Sequence, residues 1–422
     1  VRVSIQVAWP WRHRRFGVDF AMTSGRAGKP LRVTMLLEND LYPHDVRVRD
    51  EAQSLTRAGC RVHVIAPRGP GQARRERVEG VDVERFWLPM QHRGRVRDLL
   101  WEYVIAHIQL YARGLRAVVR GADVLHVHNP PDTLFGPALI GRFRRSRLVF
   151  DQHDLFPELF RDKFGCRPAL ALVRAAQRAS IRLAELVIVT NESQRDAVLE
   201  AGALSENVAV VRNALHRSEV GPGAPLRPGA LNDPKLVYVG ALERQDGVEQ
   251  MPALLQTLIG RHGLSGTHLT VVGFGAEREP LERRLGQLGL RDHVTFTGRT
   301  EHRRVLQIIA RADICIDPAA CSELNHRTTM VKVSEYLSLG RPTVAFALQE
   351  TRRTTRDAAA LAECGRCDQF AELVAELAGS EALRRRLATR AQARAHALVW
   401  EHSEEQLLRG YRRFSVGRTS NH

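Results

Sequence analysis

A chain of 422 residues exceeds what one ordinary hydrophobic core holds, so two domains of about 150–200 residues are expected. With 44% hydrophobic and 26% charged residues the composition is globular, and no apolar run approaches the roughly 18 residues of a membrane span, which excludes an integral membrane protein of the helical kind. The net charge of +16 attracts phosphate-bearing ligands, anionic lipid and nucleic acid alike and does not choose among them.

Residues 1–30 are arginine-rich, have no regular period and lack the apolar core of a signal peptide, so they are expected to be a disordered tail or an extension upstream of Met22. From Leu31 onward the pattern is regular. Strand-like runs fall at 31–37, 61–66, 81–86, 124–128, 148–151, 186–190 and 208–212, with helical stretches between most of them. That alternation predicts a doubly wound, mainly parallel sheet, whose ligand crevice forms from the loops leaving the strand C-terminal ends. Three such loops are polar: Glu38-Asn39-Asp40, His126-Val127-His128-Asn129-Pro130-Pro131-Asp132 and Asp151-Gln152-His153-Asp154. The helix expected within 96–119 is apolar on one side and flanked by arginines; it is read as packing on the sheet, with a docking helix for an anionic membrane as the alternative.

Residues 218–234 are rich in glycine and proline and read as a linker. A second α/β series follows, with strands at 236–240, 268–273, 294–298, 314–317 and 343–346, and the chain ends in helical sequence over 381–414 carrying Trp400, Leu407, Leu408 and Tyr411. The expected organisation is a tail (1–30), an N-terminal domain (31–217), a linker (218–234), a C-terminal domain (235–395) and a closing helix and tail (396–422).

In the stretch 328–346, Met330, Val333, Tyr336 and Leu337 recur at helical spacing, Gly340 offers a left-handed stop and Pro342 forbids continuation before a buried strand. Lys332 and Glu335 therefore lie near a helix N-terminus on one surface. A cation at a helix start suits a phosphate, and a carboxylate one turn on suits a sugar diol. The six cysteines are scattered and expected to be reduced thiols in a cytosolic protein; Cys364 and Cys367 alone form a C-x-x-C, a weak metal or redox signal. The histidines His126, His128 and His153 are too loosely arranged in sequence to mark a metal site, and no Asp-x-Asp motif occurs, so neither a metal nor another cofactor is expected.

Five stretches in order carry a family resemblance: 38–51, Asp151-Gln-His-Asp-Leu-Phe-Pro-Glu158, Val239-Gly-Ala-Leu-Glu-Arg-Gln-Asp-Gly-Val248, Val272-Gly-Phe-Gly-Ala-Glu277, and 328–346 continuing to Arg352. Each is modest, but their order over residues 31–414 resembles the retaining glycosyltransferases of family four. The resemblance implies the GT-B fold, an α/β architecture of two facing Rossmann-like domains with the C-terminal helix crossing back to the N-terminal one. It also implies a UDP- or GDP-sugar donor held by the C-terminal domain, and a glycan, lipid-linked or small-molecule acceptor held by the N-terminal domain.

Residue by residue, the resemblance puts Glu335 on the ribose hydroxyls and Lys332 on the diphosphate. It puts Gly240, Gly247, Gly273 and Gly275 at close backbone approaches, Arg299 near the base, and His153 with Asp154 at the reacting end of the cleft. Asn39, Asp40, His128 and Asn129 fall on the acceptor side. Two departures stand out: Arg327 occupies the place of a donor-sugar glutamate, leaving Glu323, Asn325 and Thr329 as substitutes, and Ala241 and Asp246 replace a basic phosphate pair, leaving Arg244 to compensate. The alternatives are an epimerase of the same fold and a non-catalytic sugar-nucleotide-binding protein. A nucleic-acid binder is the weakest reading, because 6% aromatic residues supply few stacking platforms.

Overall fold

The computed structural model describes Met22 and residues 29–88, 96–164, 167–221 and 223–415. The tail expected over residues 1–30 lies mostly outside them; Met22 is itself buried beside Cys60, its N–H donating to the Ala58 carbonyl.

Two sheets organise the chain. The first contains β1 (Arg32–Leu36), β2 (Arg61–Pro67), β3 (Arg75–Val78), β4 (Val81–Phe86), β5 (Val124–His128), β6 (Arg147–Gln152), β7 (Leu186–Val189) and β8 (Val208–Val210), in the order β3-β4-β2-β1-β5-β6-β7-β8. The second contains β9 (Lys235–Val239), β10 (His268–Val272), β11 (Val294–Gly298), β12 (Ile314–Asp317), β13 (Thr343–Phe346) and β14 (Ala360–Ala362), in the order β11-β10-β9-β12-β13-β14. Every pairing is parallel except that of β3 with β4. Such sheets are covered on both faces, so their strands read as unbroken apolar runs; all four residues of β7, Leu-Val-Ile-Val, are buried. Period-two alternation separates the two layers of the first domain. Val62 and Val64 face the core that contains Trp400 and Tyr411, whereas Ile65 faces the core under the Val96–Val119 helix with Ala106 and Leu110.

An edge strand and the C-terminal helical stretch differ from expectation. β3 is Arg-Glu-Arg-Val, three of its residues exposed, and has strand form only because it pairs antiparallel with β4. The helical stretch expected over 381–414 is two helices, Glu381–His396 and Trp400–Ser415, parted at 397–399, where the chain passes from one domain to the other. The second buries Trp400, Leu407 and Tyr411 in the N-terminal core, so the C-terminal helix does cross back. The glycine- and proline-rich segment 218–234 is fastened to the second domain: Arg227 pairs with Asp313 at 2.6 Å and Asp233 at 3.0 Å, and the Gly221 N–H donates to the Ser338 carbonyl.

The expectation of six reduced thiols is corrected. Cys321 and Cys364, 43 positions apart, form a disulfide, and Cys367 is left free, so the C-x-x-C is not a unit.

Candidate functional site

On the N-terminal side the site grows from the register of two strands. β5 and β6 place His128 opposite Asp151, the strand-end residue that precedes Gln152 and His153. Asp151 is wholly buried and takes two hydrogen bonds from the Arg47 guanidinium, at 2.7 and 2.9 Å, while His128 Nδ1 lies 3.0 Å and His153 Nδ1 3.6 Å from its Oδ2. Burial alone would raise the Asp151 pKa, but Arg47 and the two histidines hold it well below the ordinary carboxylate range. The same pairing works on His153. Burial disfavours its charged form, yet the Asp151 carboxylate outweighs burial and raises its pKa, so His153 carries a proton more readily than a free imidazole.

Asn129 shapes the loop that follows. Its Oδ1 accepts the N–H groups of His153 at 2.8 Å and Asp154 at 3.0 Å, and its Nδ2 donates to Asp132 Oδ1 and the Asp154 carbonyl. His128 and Asn129 are fully buried, so they act on the cleft by holding Asp151 and the 153–154 loop. Asn39 and Asp40 are exposed beyond the end of β1. Burial raises the pKa of Asp154 and takes Asp132 up to about 7. An Asn129→Ala substitution strands two loop N–H groups and one buried carboxyl, and is expected to cost about 1–3 kcal/mol, read from the urea midpoint at constant m-value.

The histidines are closer than their sequence spacing suggests. His126 and His128 stack at 4.3 Å between ring centroids, and with Glu51 and Asp151 they bring ligand-type atoms within 4.8 Å of one another, a spacing that could hold a metal ion. The helix Val46–Arg57 delivers Glu51 and Arg47 to this point, and the Arg47 guanidinium, 3.2 Å from Glu51, supplies positive charge there. Burial, followed by the Asp151 charge, pushes the Glu51 pKa well up, and Tyr411 of the returning helix closes the chain of contacts by sitting 2.7 Å from His126 Nδ1. Sequence reasoning read Asp132 only as part of a polar loop and missed the roles of Arg47 and Glu51. The available signal was the i, i+4 pair of opposite charges on the same helix as the core residues Val48, Ala52 and Leu55.

On the C-terminal side the helix Val331–Ser338 presents both predicted donor residues, and both are buried. Lys332 lies under the loop that leaves β9. Its Nζ donates to Asp246 Oδ1 at 2.8 Å, lies 3.4 Å from Asp317 and 3.3 Å from the Tyr238 hydroxyl, and sits over the Tyr238 ring. Burial works against its charge, but Asp317, Tyr238 and Asp246 more than offset that and raise its pKa. Asp246, read from sequence as the loss of a phosphate contact, is the partner of Lys332. Glu335 makes no side-chain hydrogen bond among the described residues, and the His302 ring Nδ1 lies 3.8 Å from its Oε1. Burial, with the charge of Glu219 adding to it, raises its pKa to about 7.

Gly240 has φ +152, and a Cβ there would stand 2.9 Å from Lys332 Cε; a Cβ on Gly273, φ +141, would run into the Gly240 carbonyl. Gly247 and Gly275 are likewise closed in, by the Pro318 and Leu242 carbonyls. All four glycines thus let protein backbone approach protein. Arg244 is exposed and paired with Glu277 at 3.1 Å, and Arg299 lies over the half-exposed Phe274 ring at 4.1 Å. Asn325 is buried, with its amide on the Gln245 and Ala320 carbonyls.

The remaining predicted residues join the two domains. Asn191 Nδ2 donates to Thr329 Oγ1 at 3.0 Å and to the Arg327 carbonyl at 2.9 Å, and Glu323 pairs with Arg161 at 3.4 Å and with Arg327 at 3.7 Å. Nearby, the buried Glu350 accepts both the N–H and the hydroxyl of Ser193.

Two facing, mostly parallel sheets with polar residues at their C-terminal ends define a two-domain α/β nucleotide-binding architecture. Residues 44–214 match the Glycosyl transferase 4-like domain and residues 233–380 match Glycosyl transferases group 1, and the chain belongs to this group 1 glycosyltransferase family. Among curated relatives it is 24% identical to an alpha-D-kanosaminyltransferase of Streptomyces kanamyceticus over 52% of this chain and 58% of that one. It is 28% identical to a glycogen synthase of Mycobacterium tuberculosis over 52% of this chain and 53% of that one. The chain thus spans somewhat over half the length of these relatives. In fold it is similar to a sucrose-phosphate synthase from Thermosynechococcus elongatus, with TM-score 0.70 and 18% identity over 90% of this chain and 98% of that one. Anabaena HepE, solved in complex with UDP and glucose, gives TM-score 0.67 and 17% identity over the same shares.

Proposed function

We propose that the protein transfers a hexose-like sugar from a nucleoside-diphosphate sugar, a UDP-sugar in the first instance, to a hydroxyl group of a glycan, lipid-linked or small-molecule acceptor. The observation that carries this reading is Glu335: a buried carboxylate with no side-chain hydrogen bond among the described residues, one turn along the helix from Lys332. A vicinal diol supplies the two donors that such a carboxylate lacks. The complexes of the fold relatives with UDP, UDP-glucose and UDP-2-fluoro glucose support UDP as the base carrier.

In the proposed reaction the bond from the anomeric carbon to the diphosphate oxygen breaks and a bond from that carbon to the acceptor oxygen forms on the same face. The acceptor proton passes to the leaving phosphate, and the bonding pair leaves with the diphosphate. Lys332 and the backbone N–H groups at the start of its helix stabilise the charge that develops there. His153, held by Asp151, offers a hydrogen-bond donor to the sugar from the opposite domain. No metal ion is assigned a role in this scheme.

A thermal-shift series with UDP, UDP-sugars, GDP and GDP-sugars tests the donor, since a ligand that binds the folded state raises its apparent stability. The expected result is a shift with UDP and at least one UDP-sugar; no shift with any nucleotide overturns the reading. Analysis of the product anomer tests retention, and an inverted product removes it. Binding without turnover is the second reading. It is favoured by Asp246 and Asp317, which oppose the charge of Lys332, and saturable donor binding with neither transfer nor hydrolysis would select it.

A further inference from the structure

We propose that the outer face of the helices Val96–Val119 and Gly136–Phe143 seats on an anionic lipid bilayer, with the acceptor side of the cleft at its edge. Trp101, Val104, Ile108 and Val119 are exposed at steps of three, four and eleven residues, which return to one side of a helix; Ile108 is 63% and Trp101 61% accessible. The adjoining helix buries Pro137, Ala138 and Gly141 but turns Leu139, Ile140 and Phe143 outward, Phe143 at 91%. Large apolar side chains exposed together on two adjoining helices mark an interaction site.

The charges around it select the occupant. Arg32, Arg120, Arg144 and Arg145 line one concavity together with Val119 and Phe143, and among the described residues no acidic side chain lines it. Arg116 and Arg142 are exposed on the same two helices. Apolar side chains flanked by arginines match the boundary between acyl chains and anionic headgroups, where interfacial helices lie. A second copy of the chain docking on this face would bring arginine against arginine. A nucleic-acid backbone would satisfy the arginines but leave Phe143, Ile140 and Ile108 in water. Among the described residues no helix is long and apolar enough to cross a membrane, so the contact proposed is peripheral.

The face reaches the cleft. The Val96–Val119 helix follows β4, so it starts on the side of the sheet where the parallel strands end, and the Tyr103 ring lies 6.2 Å from Phe156, two residues beyond Asp154. An acceptor carried on a lipid would therefore meet His153 and Asp154 while its anchor stays in the bilayer. This choice of acceptor class rests on the transferase reading; the surface itself does not.

Co-sedimentation with phosphatidylcholine vesicles, with and without phosphatidylglycerol, tests the surface. Binding to the phosphatidylglycerol vesicles alone is expected, falling about tenfold or more in Arg144→Glu/Arg145→Glu and similarly in Ile108→Ser/Phe143→Ser. Both variants should retain the parent's thermal shift with UDP. Failure to bind anionic vesicles, binding that ignores the apolar variant, or a solution dimer dissociated by Phe143→Ser each overturns the proposal. If the UDP shift persists while vesicle binding fails, the surface is wrong and the transferase reading stands; vesicle binding with no nucleotide shift gives the reverse.

Discussion

A Glu335→Gln variant is expected to melt at a higher temperature than the parent at about pH 8 while binding a UDP-sugar roughly tenfold or more weakly. The two halves of the prediction share one cause. Burial raises the Glu335 pKa from the ordinary carboxylate value of 4.5 to about 7, so its ionised form is disfavoured in the folded chain. For a carboxylic acid shifted upward, the associated stability is fully present below the unfolded pKa and is lost as pH rises through about 7. Above that pH the buried charge costs up to about 3 kcal/mol relative to a neutral group of the same shape, which the glutamine removes. The ionised form is also the better acceptor for two ribose hydroxyls, so donor binding should release a proton, and the parent's dissociation constant should rise as pH falls below about 7. Calorimetric titration of parent and variant across that range checks the sign. A variant with unchanged melting temperature and a parent affinity flat with pH would remove Glu335 from the donor site.

Lys332→Met is expected to destabilise the fold by about 3–5 kcal/mol, because it leaves Asp246 and Asp317 facing each other without their cation. Loss of activity in that variant alone is therefore ambiguous. The cleaner measurement is Asp246→Asn. It keeps a hydrogen-bond acceptor 2.8 Å from Nζ but removes a charge that competes with the diphosphate, and UDP should bind several-fold more tightly. Adding Asp246→Asn to Lys332→Met should recover part of the lost stability, giving a coupling energy for the pair. Weaker UDP binding by Asp246→Asn would mean that Lys332 does not face the diphosphate.

Much of the frame could be read from the chain because parallel strands buried on both faces announce themselves as apolar runs. The start of the Lys332 and Glu335 helix was legible for a related reason: glycine, proline and an apolar period bracket it. What could not be read depends on partners far away in sequence. β3 is a strand only against β4, and nothing in Arg-Glu-Arg-Val says so alone. Arg47 looks like a solvated helix arginine until strand register carries Asp151 to it across 104 residues. Asp246 looked like a missing phosphate contact because its meaning lies in Lys332, 86 positions on. The disulfide between Cys321 and Cys364 was masked by the nearer and more suggestive pairing of Cys364 with Cys367.

The returning helix has a mechanical corollary. The backbone passes between the domains twice, once near residue 217 and once at 397–399, and the passages touch: the Trp400 N–H donates to the Leu215 carbonyl, and the Glu401 carboxylate accepts the Arg217 N–H. Two strands pinned side by side behave as a door hinge rather than a tether, leaving one easy swing and resisting torsion. Swinging the domains apart on that hinge requires the contacts of Asn191 and Ser193 with Thr329 and Glu350 to let go together.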